Sequence, residues 1–323
     1  MHLPDKPTLT AEQETELRGR SNLMGSYLVL HAWAVIGLAM ALFVRWPNPV
    51  TFIVAIVLIG GRQLGLAILM HDAAHRALFK NTGLNDWVGA HCCGFPVGAS
   101  LTLYRPYHLS HHRHTQQPED PDLILSAPFP ITRASFKRKM WRDILGITGY
   151  QRRLEQFKIT MGDDPRLAKR LLKLASHERY FILSNAVLLL ILSVAGVWWA
   201  YFVLWLLPLM TWYQVISRIR NIAEHAVVGD NNDRLRNTRT TLTHWGMRAV
   251  LAPYWVNYHL EHHLFVYTPC WKLPAAHRML MAQGWGPRME LAQGYLQVLR
   301  QATAKDPSSP DSTPQNRSRT SLI

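Results

Sequence analysis

Residues 26–44, 50–70 and 180–216 form apolar runs that are too long and too closely spaced to be interior helices of a soluble domain. The first and third carry no charged residue, and only Arg62 and Gln63 interrupt the second. A helix rises ~1.5 Å per residue, so the third run is long enough to cross a ~30 Å hydrocarbon core twice if it turns tightly. Gly196, Trp198 and Trp199 mark that turn, because tryptophan gathers at membrane interfaces. The expected fold is all-α: a membrane bundle of about four transmembrane helices, arranged as two hairpins.

The formal net charge is +14, and the positive residues sit in the long segments that flank the hairpins. Arg45 is the only Lys or Arg in the first short connection, and the second has none. Positive residues stay on the cytoplasmic side, which places the polar segments and both termini there. A basic surface facing anionic lipid accounts for the excess. No aromatic-and-basic nucleic-acid motif is present, so no nucleic-acid partner is expected.

Along the chain, residues 1–25 read as a polar arm, helical over 10–20. Residues 26–304 read as a single domain and 305–323 as a disordered Ser/Pro/Asn/Arg-rich tail. The first twenty residues lack the apolar core of a signal peptide. Residues 84–104 are apolar but hold Asp86, Pro96, Gly89, Gly94 and Gly98. They suit an interfacial or re-entrant segment, with a fifth span left open. Residues 133–178 suit a charged helical layer on the cytoplasmic face, and the second hairpin covers about 180–216. No internal repeat is found.

The polar segments carry three histidine boxes: His71-Asp-Ala-Ala-His75, His108-Leu-Ser-His111-His112 and His259-Leu-Glu-His262-His263. Positions i, i+3 and i+4 share one helix face, so each box aims two or three imidazoles at one point. Neutral imidazole is the commonest protein metal ligand. A lone HxxxH arises by chance in many helices, whereas three boxes on one predicted side of a membrane do not read as chance. Their imidazoles exceed the four ligands of a structural zinc and suffice for two metals with open positions. That points to oxygen chemistry at two Fe ions, with O2 as co-substrate. Cys92, Cys93 and Cys270 cannot supply an ordinary four-thiolate cluster.

These boxes, with Tyr107-His-Leu-Ser-His-His-Arg-His-Thr115 and Asn257-Tyr-His-Leu-Glu-His-His263, resemble those of the membrane fatty acid desaturase family. Box order and spacing extend the resemblance over about residues 25–295. It implies an O2-dependent di-iron enzyme that desaturates an acyl chain, its histidine site held in a cytoplasmic helical cap. It also implies a ninth ligand, His225, in Arg220-Asn-Ile-Ala-Glu-His225, and a water-mediated metal contact from Asn221 unless that residue only bonds locally. Asp72, Glu224 and Glu261 adjoin ligands and are read as orienting imidazoles, although Asp72 has Arg76 at i+4 as another partner. Glu119, Asp120 and Asp122 are either a supporting shell or a solvated acidic loop. His277 resembles a supporting position of the family. His2, His31, His91, His177 and His244 are expected outside the site, and His114 off the ligand face. Arg62 is expected either near an acyl tunnel or in a polar pocket.

A lipid or acyl substrate would reach the site from the membrane. No dinucleotide fingerprint or cytochrome-b5-like segment is present, so the electron donor is external, of ferredoxin or cytochrome-b5 type with its reductase. Three other readings stay in view. A lipid or carotenoid hydroxylase would share the same boxes. An intramembrane zinc protease would need Asp72 to replace the glutamate of HExxH and would leave both HxxHH boxes unexplained. A metal-binding or transport protein would carry more ionisable residues within its spans.

Overall fold

A computed structural model describes residues 7–305 of the chain. His2 and all of the expected tail except Lys305 lie outside the described residues. The fold is almost entirely helical. Four helices are long and apolar enough to span a membrane: Asn22–Arg45, Pro49–Ala74, Leu167–Val194 and Tyr201–His225. Each end of the first hairpin has a local cause. Ser21 caps the first span through the Met24 N–H. Residues 46–48 turn the chain, and Asn48 caps the second span with Pro49 at its first position, where a missing N–H costs nothing.

The second span is the axis of the bundle. From residue 59 to residue 74 every position except Ala67 is buried. Small residues allow this: a Cβ on Gly65 would come 2.7 Å from Cε2 of Tyr254, so only glycine admits that ring. The other spans face outward on one side. Leu30 and Leu38 of the first, with Leu183 and Leu190 of the third, are exposed. In water such rows would be costly; in lipid they face their solvent.

The second hairpin departs from the sequence expectation. Its turn falls at Gly196 (φ 75°) as expected, but both helices are longer than residues 180–216 allow. The third span begins at Leu167 and so absorbs the end of the expected cytoplasmic layer, while the fourth runs on to His225. Charge along residues 167–179 hid the first extension, because hydropathy marks the lipid-crossing part of a helix and not the stem that continues beyond it. The fourth span is kinked, with Pro208 in its first half and a non-helical Thr211 (φ −116°, ψ −85°).

Residues 84–104 contain no fifth span among the described residues. They fold as short helical pieces, Thr82–Val88, a π-helical Gly89–Gly94 and Phe95–Val97, packed on the second span. The second box lies on Leu101–His114 and the third on His259–Leu264. Arg133–Ile144 and Ile147–Met161 form the layer beside the third and fourth spans. A two-residue parallel pairing joins Thr240–Thr241 to Leu291–Ala292 beneath the third box.

Arg62 takes the polar-pocket alternative. It donates to the Ala249 carbonyl at 2.5 Å and lies over the Tyr254 ring at 5.3 Å. Tyr254 in turn donates to the Leu28 carbonyl and lies 3.1 Å from His31 Nδ1. This network ties the first two spans to the segment before the third box.

Candidate metal centre and substrate cavity

The second span carries the first box without a break: His71 is in its last turn and His75 is its C-cap. The fourth span delivers His225 at its last position. Short helices bring the other two boxes over the tips of these spans. All nine sequence-predicted histidines converge, in two groups that could each hold a metal ion. One group is His71, His75, His108, His112 and His262; the other is His111, His225, His259 and His263. Only His112 is not fully buried. The second and third boxes are therefore split, each serving both groups.

The Nε2 atoms face one another. His112 Nε2 lies 2.9 Å from His108 Nε2 and 3.0 Å from His262 Nε2. His259 Nε2 lies 2.8 Å from His225 Nε2 and 3.0 Å from His263 Nε2. One proton on the central nitrogen satisfies only one of each pair of contacts, so the converging lone pairs call for a cation. His75 makes the same point, since both of its ring nitrogens are buried with no hydrogen-bond partner. Metal ligation would satisfy one of them.

The imidazoles are kept ready to coordinate. Burial pushes His75, His108, His112, His259, His262 and His263 well below the ordinary histidine value, and neighbouring imidazoles push them further. They stay neutral at pH 7, each with a free lone pair.

The supporting residues correct parts of the sequence reading. Asp120, left open between two roles, is buried and accepts from His111 Nδ1 at 2.8 Å. This fixes the His111 tautomer and turns Nε2 toward the centre. Glu119 is exposed, and Asp122 accepts from the Tyr107 hydroxyl at 2.6 Å. Thr115 donates to the His111 carbonyl at 2.9 Å and lies 3.2 Å from His263 Nδ1, joining the second box to the third. Asp72 accepts the Cys270 N–H at 2.8 Å and lies 3.7 Å from His71 Nδ1; no contact with the exposed Arg76 is found. Glu224 pairs with Arg220 at 2.9 Å and lies 3.7 Å from His259 Nδ1.

Glu261 does not orient a box imidazole. It binds His277 Nδ1 at 2.6 Å and the Thr240 hydroxyl, because its place on the short third-box helix turns it away from the metal groups. His277 thus joins the supporting network through Glu261. Among the described residues no side-chain hydrogen bond holds Asn221 locally; it lines the cavity that also exposes His71. His31 bonds Tyr254, His91 stacks on Trp87, and His114 lies 3.5 Å from Ser110 Oγ, all outside both groups.

Two supporting features carry little sequence signal. Arg239, 1% exposed, donates to the carbonyls of Ala223, Ala226 and Val227 and so caps the fourth span where His225 ends it. Among the described residues five non-glycine residues adopt positive φ: Arg76, Gln116, Val227, Tyr254 and Trp255. Each lies within a few residues of a histidine of the site, where backbone strain is commonly held for function.

Beside His71 a cavity of about 300 Å³ opens between the second and fourth spans, the second-box helix and Ile147–Met161. Leu64, Ala67, Met70, Leu209 and Ile222 give it an apolar wall. The cavity thus reaches the edge of the histidine cluster at His71.

A helical protein with four candidate membrane spans and two buried histidine groups that could each hold a metal ion defines the class. The fatty acid desaturase family model matches residues 45–288. The dihydrorhizobitoxine desaturase of Bradyrhizobium elkanii is 30% identical over 301 residues, covering 85% of this chain and 82% of that protein. The zeaxanthin 4-ketolase of Chlamydomonas reinhardtii is 22% identical over 308 residues, covering 88% of this chain and 61% of that protein. The chain belongs to the fatty acid desaturase family and is an oxidoreductase of that family.

Proposed function

We propose that the chain is an O2-dependent di-iron desaturase that acts on the acyl chain of a fatty acid or membrane lipid. Its ligands are His71, His75, His108, His111, His112, His225, His259, His262 and His263. The observation that carries the reading is the split of these nine into two converging groups beside an apolar cavity at the tip of a membrane bundle. Bound iron supplies the O2 chemistry needed to remove hydrogen from an unactivated C–H bond.

The residues of the chain bind, orient and exclude water. The apolar wall holds the acyl segment against His71. Asp120 fixes the proton of His111 on Nδ1, and Thr115 is placed to do the same for His263. Asn221 is placed for a water-mediated metal contact. Packing of the boxes excludes bulk water from the centre, which limits loss of oxidising equivalents to solvent. Asp72 is a poor replacement for the base of a zinc protease, and its carboxylate is engaged by the Cys270 N–H.

Electrons come from an external ferredoxin or cytochrome-b5-type donor with its reductase. The site and both termini face the cytoplasm, since Arg45 alone carries positive charge near the short connections. A second reading, oxygen insertion into a lipid or carotenoid C–H bond, is favoured by the similarity to a carotenoid ketolase.

The test is expression in a host lacking such enzymes, followed by lipid mass spectrometry and metal analysis. A product two hydrogens lighter supports desaturation, and a product one oxygen heavier supports the second reading. One zinc and no iron from iron-replete cells, with no lipid product, refutes both. Purified protein given NADPH and O2 without donor or reductase should not turn over; turnover would remove the external donor.

A further inference from the structure

The cavity beside His71 is not uniformly apolar. Four arginines line it, and they differ in what they hold. Arg218 is neutralised by Asp143 in a two-bond pair at 2.5 and 2.8 Å, and Arg220 pairs with Glu224. Arg152 and Arg153, on Ile147–Met161, form no ion pair with any carboxylate among the described residues. Arg152 donates to Gln214 Oε1 at 3.1 Å. The Gln214 amide is held in that orientation by its own bond to the Leu209 carbonyl at 3.1 Å.

Arg153 lies over the Phe181 ring at 4.6 Å and donates to Gln156 at 3.0 Å. It also reaches the carbonyls of Val97 and Gly98 at 3.4 Å. Gly98 has φ 80°, and a Cβ there would run into the Arg153 guanidinium. The glycine therefore clears the ground for this side chain. Glu178, whose charge acts on Arg153, is bonded instead by Gln156 at 3.1 Å.

Two guanidiniums at the rim of an apolar cavity, held only by neutral partners, are built for an anion. Guanidinium is a planar fork that matches a carboxylate or phosphate oxyanion. We propose that the substrate is an amphiphile with an anionic head, a carboxylate or phosphate oxyanion, seated at Arg152 and Arg153 while its apolar part runs past Met70 toward His71. This rests on the desaturase reading and names the substrate class for the same site.

The cavity volume of about 300 Å³ is at the small end of ligand sites, which run from about 300 to 1,000 Å³. It suits a single short chain better than a two-tailed lipid.

The test is equilibrium binding of radiolabelled dodecanoate, dodecyl phosphate and methyl dodecanoate to the full chain in non-ionic detergent. The anions should bind and the neutral ester should bind at least about tenfold more weakly, the scale of one charge-assisted hydrogen bond. Arg152→Gln and Arg153→Gln should each weaken anion binding by a similar factor and leave ester binding unchanged, with Arg152→Lys intermediate. Tighter binding of the phosphate identifies a phosphate head, and tighter binding of dodecanoate a carboxylate. Equal binding of acid and ester to the wild type overturns the proposal, and that comparison needs no variant to fold. Anion binding unchanged in the glutamine variants overturns it equally. Binding is read without turnover, so an inactive preparation that still selects anions counts against the metal reading alone.

Discussion

Replacing Asp120 separates the two metal groups. Its carboxylate accepts three hydrogen bonds in a buried site: His111 Nδ1 at 2.8 Å, the Asp122 N–H at 2.8 Å and the Gln116 N–H at 2.9 Å. Oδ1 takes the first two and Oδ2 the third. In Asp120→Asn an oxygen remains for His111 and Asp122, but an amide NH2 replaces Oδ2 and meets the Gln116 N–H, donor against donor. In Asp120→Ala all three donors lose their acceptor and His111 loses the partner that fixes its tautomer. Removing the partner of a metal-bound histidine typically costs about 10- to 100-fold in metal affinity, or roughly 1.4–2.8 kcal/mol. Alanine should reach the upper part of that range and asparagine the lower. The loss should fall on the group of His111, His225, His259 and His263, because no member of the other group touches Asp120. Metal content measured after titration with a competing chelator reads both groups as separate steps. The weaker step should weaken further while the other holds. Unchanged affinity in Asp120→Ala, or equal loss from both steps in protein that still elutes as a single folded species, would refute the reasoning.

Within the second box, His112→Ala should abolish product formation and lower bound metal, while His114→Ala keeps a substantial share of both. The two lie about 200° apart on the helix, and only His112 belongs to a metal group; equal loss in matched membranes would sink this. Acid should destabilise the metal-free protein. The buried imidazoles refuse protons that the unfolded chain accepts below the ordinary value of 6.5, so stability is level above that pH and falls below it. Thermal scans of metal-stripped protein from pH 8 to pH 5 check this, and a melting temperature that rises on acidification contradicts it. Single cysteines placed at Arg18, Glu119 and Arg300, all exposed, should label from the same side of sealed membranes; a split result overturns the two-hairpin topology.

The sequence alone determined the parts that depend on local periodicity. Apolar runs of spanning length fixed the four spans, and i, i+3, i+4 spacing put each box on one helix face. The absence of Pro and Gly between Leu66 and Lys80 let the second span carry His71 and His75 beyond the apolar run. His225 and Asn221 were legible only through the family resemblance, since a lone histidine after a span has no spacing of its own to mark it. The tertiary structure decided everything that joins residues distant in sequence. It divided the boxes between two metal groups and chose Asp120 from three adjacent acids. It also turned Glu261 toward His277 and set Arg239 under the end of the fourth span. Hydropathy underestimated the third and fourth spans because a helix continues past the lipid edge as long as its backbone bonds and packing hold, whatever its charge. The physical reason is one of range: a helix face follows from 3.6 residues per turn, but which carboxylate meets which imidazole depends on how the faces of separate helices dock.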